Sequence, residues 1–194
     1  MALFSFLNLC EFINTIEDYL PNVFLWQVRQ MPLKTRLAAI KDYECFLLLK
    51  ERAKVNKLIY DEIEVISWLD NIVILKRLVD YFNKEQQTNL ALKLEYRLKP
   101  SFKRIDAIIY QGKKLFILEL SYFTNEALLP KETKQVQDYA LELMKIYPYS
   151  EIKSQILSFL PEYTQTKQSL DENIKRNNFI IQNIAKQIEA FFNN

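Results

Sequence analysis

One glycine serves all 194 residues, and it lies between two apolar runs. Gly112 follows Arg104-Ile105-Asp106-Ala107-Ile108-Ile109-Tyr110-Gln111 and leads, through Lys113 and Lys114, into Leu115-Phe116-Ile117-Leu118-Glu119-Leu120-Ser121-Tyr122. Two such runs, joined by a residue that takes φ > 0 without strain, predict a β-hairpin. Both runs are apolar on both faces, the pattern of central strands covered on two sides. Asp106 and Glu119 are therefore anomalous, because a carboxylate in such a strand costs free energy unless it is paired or binds metal. A two-residue Gln111-Gly112 turn pairs Tyr110 with Lys113 and sets Ile117 opposite Asp106. Glu119 is then the diagonal neighbour of Asp106 on one face, roughly 7–8 Å away or less, close enough to share a divalent ion. A four-residue loop puts the acids directly opposite each other, and a three-residue loop without a bulge sends them to opposite faces. The structural alternative is an ion pair: Asp106 with Arg104 or Lys103, and Glu119 with Arg104 across the hairpin.

Composition removes several chemistries. The chain has no histidine, which excludes serine-histidine-aspartate triads, HExxH zinc sites and any histidine general base. A single glycine excludes the Walker A loop and the dinucleotide-binding fingerprint. With 49% hydrophobic and 26% charged residues, the chain reads as one globular domain, or one domain with a helical extension. Cys10 and Cys45 are isolated, and buried thiols in a reducing cytosol are favoured over a disulfide. Met1 to Cys10 is apolar but lacks a basic leader and a cleavage site, so an amphipathic helix is expected and not a signal peptide. No run approaches the roughly eighteen apolar residues of a membrane span, and a cytoplasmic location is expected.

Net charge is only +2, but it is uneven. Residues 97–114 hold Arg97, Lys99, Lys103, Arg104, Lys113 and Lys114 against the single acid Asp106. A basic stretch beside an acid pair suits a phosphodiester backbone next to a metal. Lysines that merely solvate strand edges give the same pattern.

Along the chain, residues 1–60 read as two or three helices broken at Pro21 and Pro32. A stronger helix over 60–84 carries Ile63, Ile66, Trp68, Ile72, Val73 and Leu78 near helical spacing. After a polar loop from Asn83 to Asn89 come strands at Leu92–Leu98, Arg104–Tyr110 and Leu115–Tyr122. A loop from Thr124 to Pro130 leads to a helix over about Glu132–Tyr147, a strand at Ile152–Leu160 and a last helix over about Leu170–Phe192. The order predicts an α/β or α+β core on a helical N-terminal region. The last helix carries a heptad: Ile174, Ile181 and Ile188 at one position, and Leu170, Asn177, Ile184 and Phe191 at the other. That stripe serves either a dimer or other protein partner, or the protein's own core.

Acid, hairpin, acid, then a helix with Gln135 and Tyr139 resembles the PD-(D/E)XK nuclease superfamily. The segments Glu95-Tyr96-Arg97-Leu98, Arg104-Ile105-Asp106, Leu118-Glu119-Leu120 and Gln135-Val136-Gln137-Asp138-Tyr139 look most like its RecB-type branch, in particular the small nuclease domain found ahead of a helicase. Glu64-Val65-Ile66-Ser67-Trp68 is similar to the helix that supplies a first acid in that group. The resemblance covers about residues 60–160. It implies a mixed central β-sheet flanked by helices in a nuclease-like core 59–163; the helical region 1–58 and the C-terminal amphipathic helix 164–194 come from the chain's own pattern and lie outside the resemblance. It implies a Mg²⁺-dependent DNase, with Mn²⁺ as a substitute, of the kind carried by phages, mobile elements or anti-phage defence. In that reading Asp106, Glu119 and the Leu120 carbonyl hold the ion, and Glu64 lies near it. Gln135 and Tyr139 flank the site, with Arg104 and Lys103 towards DNA. The family lysine two residues after the second acid is Ser121 here, and Lys131 and Lys134 are the first candidates to replace it, with Lys103 next. Without a replacement, the chain is a catalytically silent member that binds DNA or a protein partner.

Overall fold

The computed structural model describes residues 4–5, 44–55, 57, 60–84, 90–99, 101, 103–122, 129–148, 150–159 and 167–194. The elements are β1 (Phe4–Ser5), α1 (Glu44–Val55), α2 (Glu62–Lys84), β2 (Ala91–Arg97), β3 (Arg104–Gln111), β4 (Lys114–Tyr122), α3 (Leu129–Ile146), β5 (Glu151–Phe159) and α4 (Lys167–Asn193). The class is α+β: five strands in the order β1-β2-β3-β4-β5, antiparallel except for the parallel β4–β5 pair. Parallel neighbours need a crossover, and α3 supplies it.

The sheet divides two cores. One face, with Leu92, Leu94, Ala107, Ile109, Phe116 and Leu118, packs against α1, α2 and α4 through residues such as Leu49, Trp68, Ile72, Ile184 and Ile188. The other, with Ile105, Ile108 and Ile117, packs against Val136, Tyr139 and Leu143 of α3. This double cover explains why β3 and β4 read as unbroken apolar runs. The described parts of all three sequence segments, 1–58, 59–163 and 164–194, share this architecture.

Four expectations need correction or a limit. Phe4–Ser5, expected within a helix, pairs with Leu94 and Lys93 at the edge of β2, since an open strand edge offers unmet N–H and C=O groups. The breaks at Pro21 and Pro32, both cysteine side chains and most of the N-terminal helices lie outside the described residues. The hairpin turn is Gly112-Lys113, one residue later than expected: Gln111 pairs with Lys114 and Tyr110 with Leu115. Gly112 takes φ 56° at the first turn position, where a two-residue turn of the II′ type wants glycine. Finally, the heptad face of α4 is used at home. Asn177, Ile181, Ile184, Ile188 and Phe191 are buried within the chain itself, the second of the two uses that the heptad allowed. Lys114 closes the end of that helix by donating from Nζ to the Phe191 carbonyl at 3.0 Å, a cation placed at the negative helix terminus.

Helix α2 ends at Lys84 as expected, which takes Asn83 out of the polar loop also read for it, and α3 starts earlier than expected. Asn83 is helical, and α3 begins at Leu129 with Pro130 in its first turn, where a missing N–H costs nothing.

Candidate functional site: a carboxylate row across three strands

The pleat slips at one level of the sheet. On β2, Leu92 and Leu94 face the α2 core, yet Tyr96 and Leu98 lie against the α3 core. On β3, Ala107 and Ile109 face the α2 core, yet Ile105 belongs to the other. The face changes at Glu95 on one strand and at Asp106 on its neighbour. The two residues are level in a register that pairs Leu94 with Ala107 and Tyr96 with Ile105. Glu95 is fully buried and holds φ 54°, a left-handed conformation that costs a non-glycine residue about 1–3 kcal/mol. Strand β4 keeps its alternation, and its Glu119 faces α3.

Register places the acid pair. The β3–β4 ladder pairs Ala107 with Leu118, so one step further Asp106 stands level with Glu119, not diagonal to it. The ladder stops at that step, and carboxylates take over from carbonyls. Asp106 Oδ2 accepts the Leu120 N–H at 2.9 Å, and the Asp106 N–H bonds towards the Glu119 carboxylate. Glu119 Oε1 accepts from Gln135 Nε2 at 3.2 Å, and the same amide donates to Tyr139 Oη at 2.5 Å. Glu119 Oε2 is buried without a hydrogen-bond partner. Ser121, at the position of the family lysine, donates to Glu132 Oε1 at 3.3 Å, and Glu132 Oε2 is likewise buried and unmatched.

Electrostatics follow from burial and crowding. Burial, then the Asp106 charge, pushes the Glu119 carboxyl up to about 9. Burial pushes Asp106 up to about 6, against the pull of the Leu120 N–H and Arg104. Glu95 is raised too, by burial and then by Asp106. Burial and the Glu119 charge raise Tyr139 to about 12, so its phenol stays protonated at neutral pH. Desolvation with like charges side by side is the arrangement that favours a shared proton or a cation.

The ion pairs do not fall on the central two acids. Arg104 brings Nε to 2.6 Å from Glu95 Oε2 and Nη1 to 2.6 Å from Glu64 Oε1. Glu64 spends its other oxygen on the Asp61 N–H at 3.0 Å, while Asp61 Oδ1 accepts the Glu64 N–H at 2.8 Å. That reciprocal pair is a capping box at the start of α2. Glu64 is thus held by protein partners and reaches the acid pair only through Arg104.

Other expected residues are displaced. Lys131 and Lys134 are exposed on α3 and make no contact with the acids among the described residues. Lys103 pairs with Glu142 at 2.9 Å and lies 6.0 Å above the Tyr139 ring. Leu120 meets Asp106 through its N–H, whereas the resemblance implied its carbonyl as a ligand. The basic stretch is divided: Lys99, Lys103 and Arg104 stand at the acid end of β3, and Lys113 and Lys114 at the hairpin end. Eight residues of strand, roughly 25 Å, separate those groups. Glu132 was not expected, although Glu132, Gln135 and Tyr139 recur at i, i+3 and i+7, one face of a helix.

Among the described residues, no group of three or more His, Cys, Asp or Glu side chains forms a metal-holding cluster. Asp106 and Glu119 offer a carboxylate pair. That suits Mg²⁺, which takes one or two carboxylates and keeps waters, better than an ion needing an all-protein cage. The unmatched Glu119 oxygen is the observation that fits such an ion. No helix among the described residues is long and apolar enough to cross a membrane. Compared with protein-family models, curated proteins and solved structures, the chain matches none.

Proposed function

We propose that the chain is a divalent-metal-dependent phosphodiesterase that acts on DNA, of the PD-(D/E)XK type that its motifs resemble. One observation carries this reading: two carboxylates stand level on adjacent central strands, a buried oxygen of Glu119 has no partner, and the nearby guanidinium is held by two other acids. The mixed sheet flanked by helices, which the resemblance implied, supports it further. Asp106 and Glu119 would hold Mg²⁺ or Mn²⁺, which supplies an activated water and neutralises charge growing on the phosphate. Gln135 fixes the Glu119 carboxylate by its amide donor. Tyr139, packed behind that amide and protonated, limits water on the α3 side. Lys99 and Lys103, at the same end of the sheet, draw the DNA backbone towards the pair.

A second reading has its own observation. Ser121 and the acid Glu132 stand where the family has an ammonium group, which suits a catalytically silent protein that binds DNA or a protein partner.

Incubation of the purified full chain with plasmid and single-stranded DNA separates the two. Cutting with Mg²⁺ or Mn²⁺ that Asp106→Ala abolishes is the expected result. DNA binding without any cutting, under either ion, favours the silent reading. Cutting that survives both Asp106→Ala and Glu119→Ala contradicts the site.

A further inference from the structure

The missing ammonium leaves a question of charge, and the structure answers it with a residue outside the lysines that sequence spacing suggested. We propose that Arg104 supplies the positive charge to the scissile phosphate, and that Glu95 is the positioning residue that holds it there. This rests on the phosphodiesterase reading and adds the residue that does the work of the absent lysine.

Three facts converge on Arg104. It lies two residues along β3 from Asp106, where the pleat slips. It is gripped from three sides: Glu95 at 2.6 Å, Glu64 at 2.6 Å, and the Trp68 ring 6.0 Å from its guanidinium carbon. Its charge acts on Glu95, Asp106, Glu119 and Tyr139 together. The lysines do not compete, since Lys103 turns to Glu142 and Lys131 and Lys134 point to solvent. The side chain of Arg104 remains 27% exposed, so a phosphate can reach it. Glu95 has no exposure and a left-handed backbone. An acid kept at that cost, steadied by Asn71 and 2.6 Å from the guanidinium, is a holding device for that guanidinium. Arginine fits the task because its planar fork can serve two carboxylates and still present a donor edge to phosphate.

The test compares Arg104→Lys with Arg104→Met, which share an aliphatic stem and differ in charge, with Glu95→Gln beside them. Melting curves confirm that each variant is folded at the assay temperature. Cleavage by Arg104→Met should fall about 10²–10³-fold, the cost of losing one transition-state donor, and Arg104→Lys should retain at least tenfold more activity than the Met variant. Mn²⁺ affinity should not weaken in either, since removing a cation does not repel another. Glu95→Gln should lower kcat with little change in KM. Equal cleavage by the Lys and Met variants overturns the proposal, as does a loss confined to Lys134→Ala. If the wild-type chain does not cut DNA at all, the phosphodiesterase reading fails separately. Arg104 is then judged by binding of a short single-stranded oligonucleotide in Ca²⁺: weaker binding by Arg104→Met than by Arg104→Lys supports a phosphate contact, and equal binding rejects it.

Discussion

The two ends of the β3–β4 hairpin obey different rules. Near the turn, pairs run unbroken from Gln111–Lys114 to Ala107–Leu118, side chains alternate cleanly between two cores, and Ile109 and Phe116 are sealed. One step further, the ladder ends, Glu95 is strained, and carboxylates occupy positions that apolar residues fill elsewhere. One end contributes stability by burial. The other gives some of it up to bring charge together. Such a local breach in an otherwise consistent sequence is where function is expected.

The largest contrast is between packing and charge. Phe116→Ala, at the sealed end, should destabilise the fold by about 3–5 kcal/mol, measured by urea unfolding. Glu119→Gln should do the opposite. It removes a crowded, desolvated carboxyl that must take up a proton on folding, keeps an acceptor for Gln135, and should stabilise the metal-free protein by about 1–3 kcal/mol at pH 8. A destabilised Glu119→Gln would mean that the acid is a structural ion-pair partner.

The same difference has a pH signature. The folded state raises Glu119 from its ordinary 4.5 to about 9, and Asp106 from 3.8 to about 6. The folded protein therefore binds more protons than the unfolded chain across that range. Stability from these groups is fully present below about pH 4 and is lost as pH rises, first through 6 and then through 9. Melting temperature of the metal-free protein should fall between pH 5 and pH 9, and Glu119→Gln should flatten the upper part of the curve. A melting temperature that rises over that range contradicts the burial argument.

Much of the regular end was legible in the sequence, because apolar periodicity reports burial directly. The three central strands, α3, β5 and α4 lie within a few residues of where periodicity puts them. The turn was off by one, since a single glycine does not say which loop position it takes. The pairing of Phe4–Ser5 with β2 depends on a distant edge that local pattern cannot see. At the acid end, Asp106 and Glu119 were legible as exceptions to an apolar background, Gln135 and Tyr139 only through the resemblance, and the structure brings all four together. Glu64 carried a signal that was passed over, the Asp61-x-x-Glu64 capping box. The grip of Glu64 and Trp68 on Arg104 was not legible, because α2 meets β3 only in the folded protein.

Smaller effects sharpen the comparison. Asp61→Ala should cost about 1 kcal/mol as a lost helix cap and loosen Glu64 on Arg104, visible as a modest drop in melting temperature. Gly112→Ala meets no neighbour within 4 Å, so only its positive φ is penalised. A loss of about 1 kcal/mol is expected, with no effect on metal binding at the distant acid end.

The central claim is that Asp106 and Glu119 form a site for a hard cation. Titration of Mn²⁺ or Mg²⁺ into the metal-free protein by calorimetry, in two buffers of different ionisation enthalpy at pH 7.5, tests it most directly. The account predicts binding that releases protons and that the Asp106→Asn, Glu119→Gln double variant abolishes. Absence of binding to the wild-type chain, or equal binding to the double variant, would contradict it.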